Sequence, residues 1–211
     1  GGSCSGAGDD RFLNYTTNVS GLAQELQYFI DDNFFYNWTV LAFDGDNESD
    51  YADPPRRINI STFVDIVLTT NFVDFGTMSV GQSAETTDCS VGPPPPTGCS
   101  FVMRNDGNVE IELNLSENST NSLFASTPAP TNNYLFRAEN ISNEPGAFDW
   151  DNSTTTFTQV PRTNNATVFR KFNYTEDFDE ALIMINITVP QDEPSGAKES
   201  TIEFTGYYQV L

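Results

Sequence analysis

An asparagine followed two residues later by serine or threonine is the acceptor frame for N-linked sugar, a modification confined to wet surfaces. Twelve asparagines hold that frame: Asn14, Asn18, Asn37, Asn47, Asn59, Asn114, Asn118, Asn140, Asn152, Asn165, Asn173 and Asn186. Composition alone would give roughly four, so the frames are about threefold in excess. N-linked glycans are therefore the first expected partners. The bland account is an Asn- and Thr-rich surface that generates frames by composition.

Other chemistry is mostly excluded. The chain has no histidine, which removes the commonest general base and metal ligand together with Ser-His-Asp and Cys-His catalysis. No phosphate-cradling glycine loop opens a helix, and no Cys-x-x-Cys pair exists for zinc. Thirty acidic residues make carboxylate pairs inevitable. Glu176, Asp177, Asp179 and Glu180 form one cluster, and Asp149 and Asp151 flank Trp150. Two carboxylates can hydrolyse a glycosidic bond, but solvated acidic turns are the simpler account, and no catalytic residue is assigned.

A possible structural calcium is the one cofactor the pattern raises. Asp44, Asp46, Glu48 and Asp50 alternate along Asp44-Gly45-Asp46-Asn47-Glu48-Ser49-Asp50, and a hard cation needs several converging oxygens. The segment lacks the glycine and the terminal glutamate of an EF-hand, and Asn47 within it is itself an acceptor frame. Trp38, Trp150, Tyr207 and Tyr208 could stack on sugars, although aromatic residues more simply fill cores and interfaces.

Cys89 and Cys99 bracket Ser-Val-Gly-Pro-Pro-Pro-Pro-Thr-Gly, a stiff connection between two strand-like runs. Their spacing suits a disulfide closing a hairpin connection, worth roughly 3 kcal/mol for a loop of about ten residues. Such a bond belongs to an oxidising exterior. Cys4 is left over, either for a link to another subunit or free in a tail.

Nine basic residues face thirty acidic ones, a formal charge of -21. A phosphate backbone would be repelled, so nucleic acid is excluded as a partner. The acid excess fits either a salty habitat or a need for divalent counterions. No apolar run approaches the roughly 20 residues that span a bilayer, so no membrane span is expected. The sequence opens Gly1-Gly2-Ser3-Cys4, as in a processed chain; Cys4 is not the first residue, as a lipid anchor would require, and the absence of a long apolar N-terminal helix argues against a type IV pilin.

The elements that must carry these residues are strands. Val109 to Leu113 alternates with Asn114 on the glutamate side, Asn59 opposes Ile58 and Ile60, and Asn186 opposes Ile183, Ile185 and Ile187. All three acceptors fall on the face expected to meet water. Further runs are expected at 38–43, 58–69, 72–80, 100–104, 134–138, 155–160, 167–172, 181–189 and 201–210, at a spacing typical of sandwiches. Ser20 can cap a short helix whose Leu22, Leu26, Phe29 and Ile30 share a face.

The succession Val73-Asp74-Phe75-Gly76-Thr77-Met78-Ser79-Val80-Gly81, then Phe101-Val102-Met103-Arg104-Asn105-Asp106-Gly107-Asn108-Val109, then Ile187-Thr188-Val189-Pro190 and Gly196, resembles immunoglobulin-like β-sandwich domains of prokaryotic, archaeal-type surface glycoproteins and extracellular filament subunits. The resemblance covers about residues 60 to 211. It implies a fold and no chemistry, and some fibre subunits with such domains resemble donor-strand-exchanging pili.

The expectation is thus an all-β chain: an antiparallel immunoglobulin-like β-sandwich over 57–211, preceded over 1–56 by an extended N-terminal arm with a possible short helix and an intersubunit contact. The expected role is a non-enzymatic structural subunit of an extracellular glycosylated filament or surface layer. It would partner itself as a homopolymer, head to tail, by strand complementation. The alternative is a carbohydrate-binding or adhesin module of a surface protein.

Overall fold

The computed structural model describes residues 35–38, 49–50, 54, 56–89, 98–118 and 122–208. All of them lie in one unit, Asp32–Leu211. Three expectations fall elsewhere: the helix after Ser20, Cys4, and most of the calcium segment, of whose four candidate ligands only Asp50 is described.

Every regular element among the described residues is a strand. The first two, β1 (Phe35–Trp38) and β2 (Arg56–Asn59), pair antiparallel, with Phe35 opposite Asn59 and Trp38 opposite Arg56. This hairpin straddles the expected boundary between arm and sandwich. Of the expected 38–43 strand only Trp38, the last residue of β1, lies among the described residues, and the 58–69 run divides, since β3 (Ile66–Thr70) starts afresh after a coil.

Two packed sheets form the sandwich. The larger has six strands in the order β3, β5 (Phe101–Asn105), β10 (Glu180–Thr188), β7 (Tyr134–Asn140) and β8 (Thr158–Gln159), with β4 (Ser83–Glu85) also on β10. The smaller runs β11 (Ile202–Tyr208), β6 (Ile111–Glu117), β9 (Ala166–Phe172). All named strand pairs are antiparallel. A late strand, β10, inserts between β5 and β7, as the fifth strand of an immunoglobulin-type sandwich lies between the second and fourth.

The core follows from alternation. Ile111, Leu113 and Leu115 from β6 meet Ala181, Ile183, Ile185 and Ile187 from β10, with Phe136, Phe169 and Phe172 between them. Burying each large side chain is worth about 1.5–3 kcal/mol. The strand β10 exceeds the simple pattern because its other face is covered too: Leu182 and Met184 pack with Ile141, Val102 and Phe157 in a second cluster. Over that cluster the Arg137 guanidinium lies 5.1 Å from the Phe157 ring centroid.

Expected runs that lack pairing partners shrink. Residues 71–80 form no strand, because Gly76 takes φ +64° and donates its N–H to the Asp74 carboxylate at 2.7 Å. Phe75 and Met78 still pack against the core. Of the 155–160 run, only Thr158 and Gln159 pair, with Phe136 and Leu135.

Candidate functional site

Cys89 and Cys99 form a disulfide with 5.4 Å between their α-carbons. The strands on either side of it do not pair with each other, contrary to the hairpin expectation. Instead β4 and β5 lie end to end along one edge of β10, with Ala84 opposite Ile187 and Phe101 opposite Ile183. Between them the Thr86 N–H donates to Ile185 O at 2.9 Å and the Ser100 N–H to Thr87 O at 2.9 Å. The bridge therefore closes the neck of an excursion from one interrupted strand. Gly98 belongs there because a β-carbon would sit 2.5 Å from the Asp74 carbonyl oxygen.

The acceptor frames divide by what their amides touch. Asn59, Asn118, Asn152 and Asn165 are exposed, whereas Asn114, Asn140, Asn173 and Asn186 are half-buried. Asn114 shares its face with Glu112 and opposes buried Leu113 and Leu115, as alternation requires. With the amide turned to suit its surroundings, however, its nitrogen donates to Thr167 Oγ1 at 3.1 Å, Glu112 Oε1 at 3.2 Å and the Leu113 carbonyl oxygen at 3.2 Å. Asn186 lies between Glu85 and Leu135 on neighbouring strands.

Loop acceptors are held differently. The Asn173 carbonyl oxygen accepts from the N–H groups of Tyr174 at 2.7 Å and Thr175 at 2.9 Å, so the frame folds over itself and the amide nitrogen is turned away from those donors. Asn152 donates to Asp149 Oδ2 at 2.8 Å, and that hydrogen bond holds the Asp149 carboxyl below its usual range. Asn165 donates to the Tyr207 hydroxyl at 3.3 Å. Asn37 lies on β1, and Asn14, Asn18 and Asn47 lie outside the described residues.

Of the acidic cluster, Glu176, Asp179 and Glu180 line a recess of about 380 Å3 together with Arg104, Asp106 and Glu144. Burial, reinforced by repulsion from Glu144, Glu176 and Glu180, raises the Asp179 carboxyl to about 6. Burial and Glu144 raise Glu180 as well. Asp106 moves the other way because it is hydrogen-bonded to Arg104. Sequence reading did not connect Arg104 to this cluster; the register that sets Arg104 opposite Glu180 does.

The sugar-stacking candidates do not form a row. Trp150 sits on a turn, stacked on Phe148 at 5.8 Å. Tyr207 and Tyr208 are successive strand residues and so point to opposite faces of β11. Of Trp38 only the backbone is described.

One side of the sandwich was missed by sequence reading. The edge strands β3 and β11 come together there: a β-carbon on Gly206 would lie 3.3 Å from Ile66 Cγ2 and 3.5 Å from Val64 Cγ1. Phe101 and Phe204 meet edge to face at 5.6 Å beside them. Each of the two strands pairs on one side only among the described residues. Phe63 and Phe72, flanking β3, are 55% and 72% exposed. No acceptor frame occurs between residues 60 and 113 or after 186. The chain matches no protein-family model, and it has no match among the curated proteins or the solved structures.

Proposed function

We propose that this is a non-enzymatic, glycosylated structural subunit of an extracellular filament or surface layer, joined head to tail by a strand from a neighbouring copy. The observation that carries this reading is the coincidence at β3 and β11. Two edge strands meet beside exposed phenylalanines, and the segments that carry them, 60–113 and 187–211, hold no acceptor frame of their own, while the frames are spread over the rest of the chain. Exposed apolar side chains beside unpaired strand edges suit a protein partner.

Edge strands offer unpaired N–H and C=O groups, and an added strand satisfies a whole row of them. The N-terminal arm of a second copy is the occupant that fits best. A donor and an acceptor carried on one chain are always in equal number, and such a contact propagates into a fibre. The resemblance to surface-glycoprotein and filament domains agrees with this. The charge of -21 opposes it, so assembly requires salt or divalent cations to screen the repulsion.

Electron microscopy of the secreted protein tests the proposal. Uniform fibres are expected at high salt, and both removal of residues 1–34 and Phe63→Glu should leave monomers. Fibres unaffected by either change, or monomers under all conditions, would refute it. Monomers that bind oligosaccharides through exposed Trp150 would instead favour a carbohydrate-binding or adhesin module.

A further inference from the structure

Tyr207 stands on the solvent face of β11, 42% exposed, and its hydroxyl accepts the Asn165 amide N–H at 3.3 Å. The two residues belong to opposite flanks of the smaller sheet, because β11 and β9 both border β6 and not each other. Asn165 immediately precedes β9 and heads the frame Asn165-Ala166-Thr167. To make the contact, the tyrosine side chain crosses the outer face of β6. The nitrogen that would carry a sugar is thus the atom already touching an exposed aromatic residue.

The chemistry of the linkage preserves this contact. Transfer from a glycosyl phosphate-type donor forms a bond from the anomeric carbon to Nδ2, breaks the bond from that carbon to the phosphate oxygen, and releases one amide proton. The second N–H remains and can still be donated to the Tyr207 hydroxyl. A pyranose has an apolar face of C–H groups, and a tyrosine ring is an apolar plate with a polar tip. Two other frames are held differently: the nitrogen of Asn152 goes to a carboxylate, and that of Asn114, with its amide turned to suit its surroundings, to a hydroxyl, a carboxylate and a carbonyl oxygen.

We propose that Tyr207 is a stacking platform for the first sugar of a glycan on Asn165, fixing that sugar against the outer face of the smaller sheet. The proposal rests on the glycoprotein reading and adds a position and an orientation for one glycan. The same ring could take a pyranose from its own chain or a free one, and the test separates the two.

Wild type, Asn165→Gln, Tyr207→Ala and the double variant are prepared from the glycosylating source and from a host that adds no sugar. Glycopeptide mass spectrometry reports occupancy, and denaturant unfolding reports stability. In the sugar-bearing set the two substitutions should be coupled by about two- to tenfold in the unfolding constant, with much less coupling in the bare set. Tyr207→Phe should keep most of the effect, and protons of the first sugar should shift upfield over the ring. Coupling equal in both sets, or unshifted sugar protons on an occupied Asn165, overturns the platform and leaves the glycoprotein reading intact. A bare Asn165 among occupied frames overturns it too, whereas no occupied frame anywhere removes the glycoprotein reading itself. If free oligosaccharide perturbs Tyr207 in Asn165→Gln as strongly as the attached glycan does in wild type, the ring serves external sugar and the proposal fails.

Discussion

Lys198 closes on Glu193, with its Nζ 2.5 Å from a carboxylate whose side chain is only 1% exposed. The same carboxylate accepts the N–H groups of Ser126 at 3.0 Å and Ala125 at 3.3 Å and the Ser126 hydroxyl at 2.7 Å. One buried acid therefore ties the 122–130 segment to the 190–198 turn. Lys198→Met should destabilise the protein by about 1–3 kcal/mol, because a buried acceptor loses its charged donor. Denaturant unfolding measures this, and an unchanged midpoint would show that the other donors suffice.

Acid should act on Glu193 and Asp179 with opposite signs. Burial pushes the Glu193 carboxyl up, but Lys198 and the Ser126 and Ala125 donors outweigh it and hold it at about 2, below its usual 4.5. Its stabilisation is present above about 4.5 and is lost as pH falls toward 2. Asp179, raised from 3.8 to about 6, contributes stability that is complete below 3.8 and lost as pH rises through 6. Melting temperature should therefore rise as pH falls from 7 to about 5 and drop again at strong acid. Asp179→Asn should flatten the first limb alone, which a melting series across pH resolves.

Asn105 is fully buried at the end of β5, donating to Val109 O and Phe172 O, each at 3.0 Å, while its carbonyl oxygen accepts the Gly107 N–H at 3.1 Å. Asn105→Ala should cost about 1–3 kcal/mol by stranding these groups. Gly107→Ala should also destabilise, since its β-carbon would meet Phe63 O at 2.6 Å. Thermal unfolding of the two variants checks both.

Reduction of the Cys89–Cys99 bridge should lower stability by roughly 3 kcal/mol, as expected for freeing a short loop in the unfolded chain. Because β4 and β5 each keep their own contacts to β10, hydrogen exchange should accelerate first around 86–100 and leave the β6–β9 pair unchanged. Loss of protection throughout the sheets at the same rate would contradict this local picture.

Where alternation is regular and at least one neighbour is a long strand, the sequence was a sufficient guide: β5, β6, β7, β9, β10 and β11 fall where the apolar rhythm puts them. The Asn-Asp-Gly-Asn turn was legible as a signature, and its cause is now visible, since Asn105 anchors β9 while Asn108 accepts from Phe63 and donates to Ser61. Pairing partners were not legible. The three residues of β4 carry too little pattern to announce a strand, and no local feature says that β4 and β5 share an edge of β10. For the same reason the bare side at β3 and β11 was invisible. It depends on which strands become sheet borders, a property of topology and not of any one segment. The Tyr207–Asn165 contact, spanning three strands, lay equally beyond spacing arguments.

The interrupted strand makes residues 87–99 a natural handle. Chain leaves and returns at nearly the same point, on a pinned neck, so additions between the cysteines need not disturb the hydrogen-bonded ladder on either side. A peptide tag or a short epitope grafted in place of the four prolines would be anchored at both ends by the bridged cysteines.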